Sequence, residues 1–249
     1  MGCCMPELLW PALVVFVGYV LLGLTGFGSA LIIVPLLSWK WPLPHVVALT
    51  LLLDVPACLL HGGLNLRQVQ WREVRSMWPG LVAGSAVGLW LTRLLEPRWP
   101  LLMLGLYVAT TGLRQLLRPE RPPQTPPADS GLWAGGVAGA VEMMFGTAGP
   151  VLMAWLRWRL PNVMHLRATA PVLIVCSACI VLMEMALAGQ LVDVLLWQHW
   201  LVLVGIAMLG LYVGDRSAHW ISRRRLAHGM AVLLVLSGVS LLKGFFSAE

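Results

Sequence analysis

Gly23-Leu24-Thr25-Gly26-Phe27-Gly28-Ser29-Ala30, running into Leu31-Ile32-Ile33-Val34-Pro35, is the stretch on which the fold turns. It lies in an uncharged run from Leu8 to Trp39, 32 residues long, whereas a straight helix needs only ~20 residues to cross a bilayer. Glycine weakens a helix and proline removes a backbone donor. The spacing therefore predicts a helix broken at membrane depth, with free N–H groups near Phe27 to Ala30. Irregular backbone at that depth persists only where protein buries it or where it lines a cavity. A half-helix N-terminus facing a cavity favours an anion. The device returns at Gly135-Gly136-Val137-Ala138-Gly139 and Phe145-Gly146-Thr147-Ala148-Gly149-Pro150. Close helix packing is the competing account of such glycines; the pairing of the two stretches favours a site.

Composition assigns the class. Hydrophobic residues make up 59 % of the chain and charged residues 11 %, against roughly 25 % charged in soluble domains. The mean hydropathy is +0.81. This is an integral membrane protein, and its apolar runs have helical length without the alternating pattern of an outer-membrane barrel. The first run has no basic leader region and is too long for a cleavable signal. The net charge of +6, 17 basic less 11 acidic residues, reads as loop arginines that orient helices rather than as a nucleic-acid surface. Five cysteines form no disulfide framework. Cys176 and Cys179 lack nearby histidines and read as packing rather than metal ligands. Pro6 breaks the myristoylation pattern that Met1-Gly2-Cys3-Cys4 invites.

Eight apolar segments follow one another, at roughly 8–38, 43–64, 76–95, 99–117, 131–156, 166–188, 195–214 and 227–246. Five prolines within Arg118 to Asp129 make an extended linker. It divides the chain into a first membrane repeat (1–117), a linker (118–130) and a second repeat (131–249). Phe27-Gly28 matches Phe145-Gly146 at an offset of 118 (145 − 27), and Thr50 matches Thr169 at 119 (169 − 50). Gly63, Gly84, Gly88 and Gly112 match Gly189, Gly210, Gly214 and Gly238 at 126 (189 − 63). Internal repeats of this kind mark secondary transporters, with the site at the repeat interface near the midplane. Four crossings per half would set the halves in the same orientation, and this is the preferred reading. A re-entrant first segment would instead invert them. With eight crossings, Lys40, Arg93, Arg98, Arg157, Arg159, Arg167, Arg216 and Arg223-Arg224-Arg225 share one face, which the positive-inside rule puts in the cytoplasm.

Asp54, His61, Glu142 and Glu184 fall inside apolar segments. Ionisable groups at depth face the interior and often belong to substrate or proton pathways, although a carboxyl bonded between helices can be purely structural. Asp54, Glu142 and Glu184 are the proton-coupling candidates. His45, His165 and Arg167 are the basic candidates for holding an anion, and Thr50 and Thr169 offer hydroxyls at matched positions. Arginine can grip a sulfonate or carboxylate through two parallel bonds, while at a helix boundary it also serves as an interfacial anchor. Tryptophans near segment ends, among them Trp39, Trp41, Trp71, Trp155 and Trp200, read as an interfacial belt. No HExxH, G-x-S-x-G or P-loop pattern occurs, which disfavours an enzyme or a self-contained ATP-driven pump.

Gly26-Phe27-Gly28-Ser29-Ala30-Leu31-Ile32-Ile33-Val34-Pro35-Leu36, Phe145-Gly146-Thr147-Ala148-Gly149-Pro150, Leu166-Arg167-Ala168-Thr169 and the closing Leu236-Ser237-Gly238-Val239-Ser240-Leu241-Leu242 resemble the TauE/SafE sulfite-exporter family. The resemblance covers nearly the whole chain outside the linker. It implies an eight-segment inner-membrane transporter that exports sulfite, sulfoacetate or related organosulfur anions. Carried over residue by residue, it marks Gly26, Phe27, Gly28, Ser29, Pro35, Phe145, Gly146, Gly149, Pro150, Arg167 and Thr169. Ser29-Ala30 and Ala148 stand where many members have glycine, and Glu142 stands where a small or apolar residue is expected. The expectation is an all-α membrane protein of about eight transmembrane helices in two four-segment repeats, each opening on a broken segment. Gly26, Phe27, Gly28, Ser29, Thr50, Phe145, Gly146, Thr147, Gly149, Arg167 and Thr169 would hold a small anion. No cofactor or metal is expected; the partners are the substrate, the lipid bilayer and a second copy in a homo-oligomer. The alternatives are a passive anion permease of the same fold and a non-transporting membrane assembly factor.

Overall fold

A computed structural model describes residues 5–26, 28–61, 66–96, 99–100, 102–104, 106–107, 110, 113, 130–160 and 162–217. Phe27, Gly63, Gly112, the linker 118–129, most of the fourth segment and all of the eighth, with Arg223-Arg224-Arg225 and Gly238, lie outside them. Among the described residues every regular element is helical: α1 (Met5–Thr25), α2 (Ser29–Leu37), α3 (Leu43–His61), a short 3-10 turn (Leu66–Gln68), α4 (Trp71–Leu94), α5 (Ser130–Phe145), α6 (Gly149–Arg159), α7 (Val163–Leu187) and α8 (Val194–Ser217). Three of them, α3, α7 and α8, are long and apolar enough to cross a membrane.

Both glycine-rich stretches interrupt helices where expected, but the chain does not run straight through them. A methyl group added to Gly18 would collide with the Ile33 side chain. Those residues would stand about 22 Å apart along a continuous helix, so α2 doubles back along α1. Likewise Trp155 Nε1, on α6, donates to Ser130 Oγ at the start of α5 at 3.4 Å. Each first segment is thus a helical hairpin, which corrects the reading of four straight crossings per half.

The turns have a common construction. Gly26 (φ 82°) and Gly146 (φ 65°) are left-handed, and their N–H groups donate to Leu22 O at 2.6 Å and Glu142 O at 2.7 Å. This is the glycine-terminated helix end that only a residue without Cβ adopts at little cost. The equivalence is therefore Gly26 to Gly146, an offset of 120 (146 − 26), and Ser29 to Gly149 as the first residues of α2 and α6. It replaces the Phe-Gly alignment at 118.

The remaining glycines on the seams serve packing. Methyls on Gly80 and Gly84 of α4 would strike the backbone of Leu132 and Gly136 on α5, and methyls on Gly135 and Gly139 would strike Met77 and Leu81 in return. The α1–α8 pair repeats the arrangement, with Gly210 against Phe16, Gly214 against Val20, and Gly23 against Leu211 and Asp215. Small residues replace bulk where membrane helices must touch backbone to backbone. Gly135 and Gly139 thus take the packing role, leaving the turn to Gly146.

Helix directions follow from end-to-end contacts. His45, in the first turn of α3, meets His199 near the start of α8. His165, in the first turn of α7, meets Gln70, which precedes α4. Because α4 follows α3 after a short turn, it starts at the face where α3 ends. Hence α3 and α7 enter from opposite faces. Exchanging α1, α2, α3 and α4 for α5, α6, α7 and α8 preserves the main packed pairs: α1 on α8 against α5 on α4, α3 on α8 against α7 on α4, and α3 on α7 itself.

Candidate functional site

The two hairpin turns meet in the middle of the molecule. Between them lies a small cavity of about 20 Å³ lined by Leu22, Gly28, Ser29, Ala30, Asp54, Cys58, Glu142, Gly146, Thr147, Ala148, Gly149 and Ile174. That volume accommodates about one water molecule, so a sulfur oxyanion reaches it only if the turns part. The N-terminus of α2 opens onto the cavity from one side and that of α6 from the other. Pro150 takes one donor from the second terminus, whereas α2 offers Ser29, Ala30 and Leu31.

Each half contributes one carboxyl. Asp54, only 7 % exposed, sits on α3 two residues before Pro56. Its Oδ1 accepts from Tyr19 Oη at 2.7 Å and from Ser29 Oγ at 2.9 Å. It thereby ties α1, the start of α2 and α3 into one unit. Glu142, 2 % exposed, ends α5 just before the turn. Ser177 of α7 bonds its side chain, and its Oε2 is buried with no hydrogen-bond partner. A buried unpaired carboxyl oxygen costs free energy unless it carries a proton or meets a ligand. Among the described residues no arginine, lysine or histidine lines the cavity.

Several expected site residues lie elsewhere. Thr50 Oγ1 bonds the carbonyl of Val46 on its own helix. Thr169 Oγ1 accepts from the Gln70 N–H at 3.1 Å, holding the entry of α4 at the membrane face. Glu184 Oε1 accepts from Ser85 Oγ at 2.8 Å, and it couples α7 to α4 rather than to the turns. Phe145 is buried and stacks on Tyr107 with ring centroids 5.9 Å apart. Arg167 belongs to the first turn of α7, well before the cavity-lining Ile174; its side chain and that of His61 lie outside the described residues. Gly26 forms the first turn beside the lining Gly28. Gly28, Ser29, Gly146, Thr147, Gly149, Asp54 and Glu142 are brought together as expected.

Sequence reasoning missed Tyr19, Cys58 and Ser177. Tyr19 carried a signal, since a tyrosine inside an uncharged membrane helix needs a partner for its hydroxyl, and Asp54 was the available acceptor. It also missed a cluster at one membrane face. There His45 Nδ1 lies 3.6 Å from Asp193 Oδ2, His45 Nε2 lies 3.2 Å from His199 Nδ1, and Trp41 stacks on His199 at 4.3 Å between centroids. Across the molecule, Arg159 Nε bonds Glu73 Oε2 at 3.2 Å and packs over Trp155, and His165 Nδ1 contacts Gln70 Nε2 at 2.5 Å.

Comparison with known proteins adds the family. Residues 11–241 match "Sulfite exporter TauE/SafE". The chain is also 42 % identical over 193 residues to "Probable inner membrane transporter protein TsaS" of Comamonas testosteroni, an alignment covering 78 % of this chain and 81 % of that protein. No solved structure matches.

Proposed function

Because the chain belongs to the TauE/SafE sulfite exporter family, a family of multi-pass membrane transporters, we propose that it is a secondary transporter exporting a small anion of the sulfite or organosulfonate class across the bacterial inner membrane. The observation that carries this reading is the meeting of two hairpin turns, one from each half, at a cavity holding one carboxyl from each half. In this reading residues 1–117 and 131–249 are inverted repeats joined by the 118–130 linker. Each half opens on one re-entrant hairpin, so the eight apolar segments do not all span. Paired half-helix N-termini at the repeat interface are the usual anion cradle of such transporters.

Orientation follows from the same geometry. Arg67, Arg72, Arg75, Arg157, Arg159 and Arg216 lie at the face where α4, α7 and α8 have their start, start and end, whereas Lys40 and Arg93 lie at the opposite face. The positive-inside rule assigns the arginine-rich face to the cytoplasm. The α1–α2 hairpin then enters from the periplasm and the α5–α6 hairpin from the cytoplasm.

The carboxyls supply the coupling. Two ionised carboxylates repel each other and any arriving anion. A protonated Glu142 instead donates a hydrogen bond to a sulfonate oxygen, beside the N–H groups of α2. Anion and proton therefore enter the cavity together, while Asp54, held by Tyr19 and Ser29, fixes the first turn. The test is labelled sulfite flux into liposomes containing the purified protein, across an imposed pH gradient, with sulfoacetate and thiosulfate as competitors. Saturable, gradient-driven flux blocked by a competitor is the expected result. Linear, pH-insensitive flux would identify a passive permease. Absence of flux from folded protein together with a stable co-purifying protein would identify an assembly factor.

A further inference from the structure

The two membrane faces are closed by structurally equivalent contacts of different chemistry. His45 and His165 are third residues of α3 and α7, an offset of 120 (165 − 45). Their partners are equivalent too. Gln70 precedes α4 by one residue and Asp193 precedes α8 by one residue, an offset of 123 (193 − 70). At one face His165 meets the neutral Gln70 amide, supported by Thr169 on the Gln70 N–H and by the Arg159–Glu73 ion pair. At the other, His45 lies between Asp193 and a second imidazole, His199.

We propose that Asp193, His45 and His199 form a proton-operated latch on the gate between α3 and α8, while the equivalent contact between α7 and α4 stays shut over the same pH range. With both rings neutral, His45 Nδ1–H points to Asp193 and His45 Nε2 accepts from His199 Nδ1–H. One added proton keeps this chain intact, because a donor still faces an acceptor across the 3.2 Å contact. A second proton makes both facing nitrogens donors and sets two cations in contact. Asp193 offsets one charge, not two, so the starts of α3 and α8 separate. Among the described residues, Asp193 acts on both imidazoles and His45 on His199, with the two rings in direct contact; Trp41 packs against both without adding charge. The α7–α4 contact holds one imidazole instead of two, since His165 faces the Gln70 amide and the Gln68 carbonyl, so no second imidazolium is set against it. In the orientation proposed above the latch faces the periplasm, the more acidic side of an energised inner membrane, so it opens on the side to which the exported anion is released.

The latch rests on the two-gate transporter reading, but its test reads distance rather than flux, so the two can fail separately. Spin labels on Trp39→Cys and Val192→Cys, 54 % and 79 % exposed in the parent chain, report the latched gate. Labels on Arg67→Cys and Met164→Cys report the other. Both pairs are made in the full chain in lipid nanodiscs, with the five native cysteines replaced. Lowering the pH from about 8 to about 5, the range in which histidine titrates, should lengthen the first distance and leave the second unchanged. His199→Gln should abolish the response. Asp193→Asn, which keeps an oxygen for the Leu195 N–H but removes the counter-charge, should move the opening to higher pH. Should His199→Gln not fold, the direction of the Asp193→Asn shift decides. An unchanged first distance, a response that survives in His199→Gln, a shift of Asp193→Asn to lower pH, or equal movement of both pairs would overturn the proposal.

Discussion

The two helical hairpins of this chain share a construction and divide the chemistry. At the cavity, the turn register pairs Leu22 with Glu142, Gly28 with Ala148, Ser29 with Gly149 and Asp54 with Ile174, all lining residues. Each half has one carboxyl where its counterpart has an aliphatic chain. The group that restrains Asp54 is also one-sided, because Tyr19 and Ser29 correspond to Gly139 and Gly149. Repetition therefore supplies shape, two turns meeting at one point, and divergence supplies chemistry, a carboxyl braced by two hydroxyls on one side and one with an unpartnered Oε2 on the other. A symmetric pair of carboxylates would repel; a symmetric pair of aliphatics would leave an anion only backbone and the Ser29 and Thr147 hydroxyls.

The shared backbone is the part whose loss should cost most. Gly84→Val and Gly214→Val each push a branched side chain into the backbone of the partner helix, at Gly136 and at Val20. Overpacking costs about 1–3 kcal/mol even where side chains can yield, and backbone yields less. Both variants should lose monodisperse protein on size exclusion in detergent, and to a similar degree. Tolerance of one and collapse of the other would break the equivalence of the seams.

The divergent chemistry should separate by carboxyl. Glu142→Gln keeps the shape and a donor but cannot shuttle a proton, so gradient-driven sulfite uptake should fall by tenfold or more, which corresponds to about 1.4 kcal/mol or more in the barrier, while sulfite–sulfite exchange persists. Asp54→Asn still accepts from Tyr19 and Ser29 and should lose only part of its charge-assisted stabilisation, about 1 kcal/mol, with coupling retained. Loss of coupling in Asp54→Asn alone would reverse the two roles. The double exchange Leu22→Glu with Glu142→Leu sharpens the point, since recovery of pH-dependent flux would mean that only the presence of a free carboxyl in the cavity matters, not the half that supplies it.

A smaller effect belongs to the faces. The Arg159–Glu73 pair ties the end of α6 to the first turn of α4, and the equivalent positions are Trp39, just past α2, and Leu196 on α8. Arg159→Gln should cost about 1–3 kcal/mol in resistance to detergent denaturation, with the α1–α2 side unaffected in protease accessibility.

Much of this was legible in the residues. Glycine breaks, apolar length and a proline-rich divide are local properties, so the helical class, the paired turns and the two cavity carboxyls could be read from the chain. Reversal at the turns could not. Gly26 and Gly28 permit a kink as readily as a hairpin, and only the packing of Ile33 on Gly18 decides. The arginine count suffered in consequence, because straight crossings put Lys40 on one face with Arg157 and Arg159, and the hairpins separate them. Register was misread for a related reason: Phe-Gly recurs at 118, and Gly28 is left-handed as well as Gly26, while the glycines that close their helices onto Leu22 and Glu142 recur at 120, and hydrogen bonds are not written in residue identity. Asp193 and His199 were overlooked because their partner, His45, is distant in sequence and neither interrupts an apolar run at depth.

The weakest predicted effect tests that register most finely. Thr50 and Thr169 stand 119 residues apart, one short of the hairpin register, and one residue turns a helix by about 100°. They therefore face different neighbours. Thr50 returns its hydroxyl to the Val46 carbonyl, a local bond that competes with the helix and adds little. Thr169 receives the Gln70 N–H across the α7–α4 contact, and removing it strands a part-buried donor. Thr169→Val should accordingly lower stability by about 1–2 kcal/mol, and Thr50→Val by about 0.5 kcal/mol or less, with neither shifting the substrate dependence of flux. Equal costs, or a changed apparent affinity for sulfite in either variant, would restore the two hydroxyls to the substrate path and return the repeat alignment to 119.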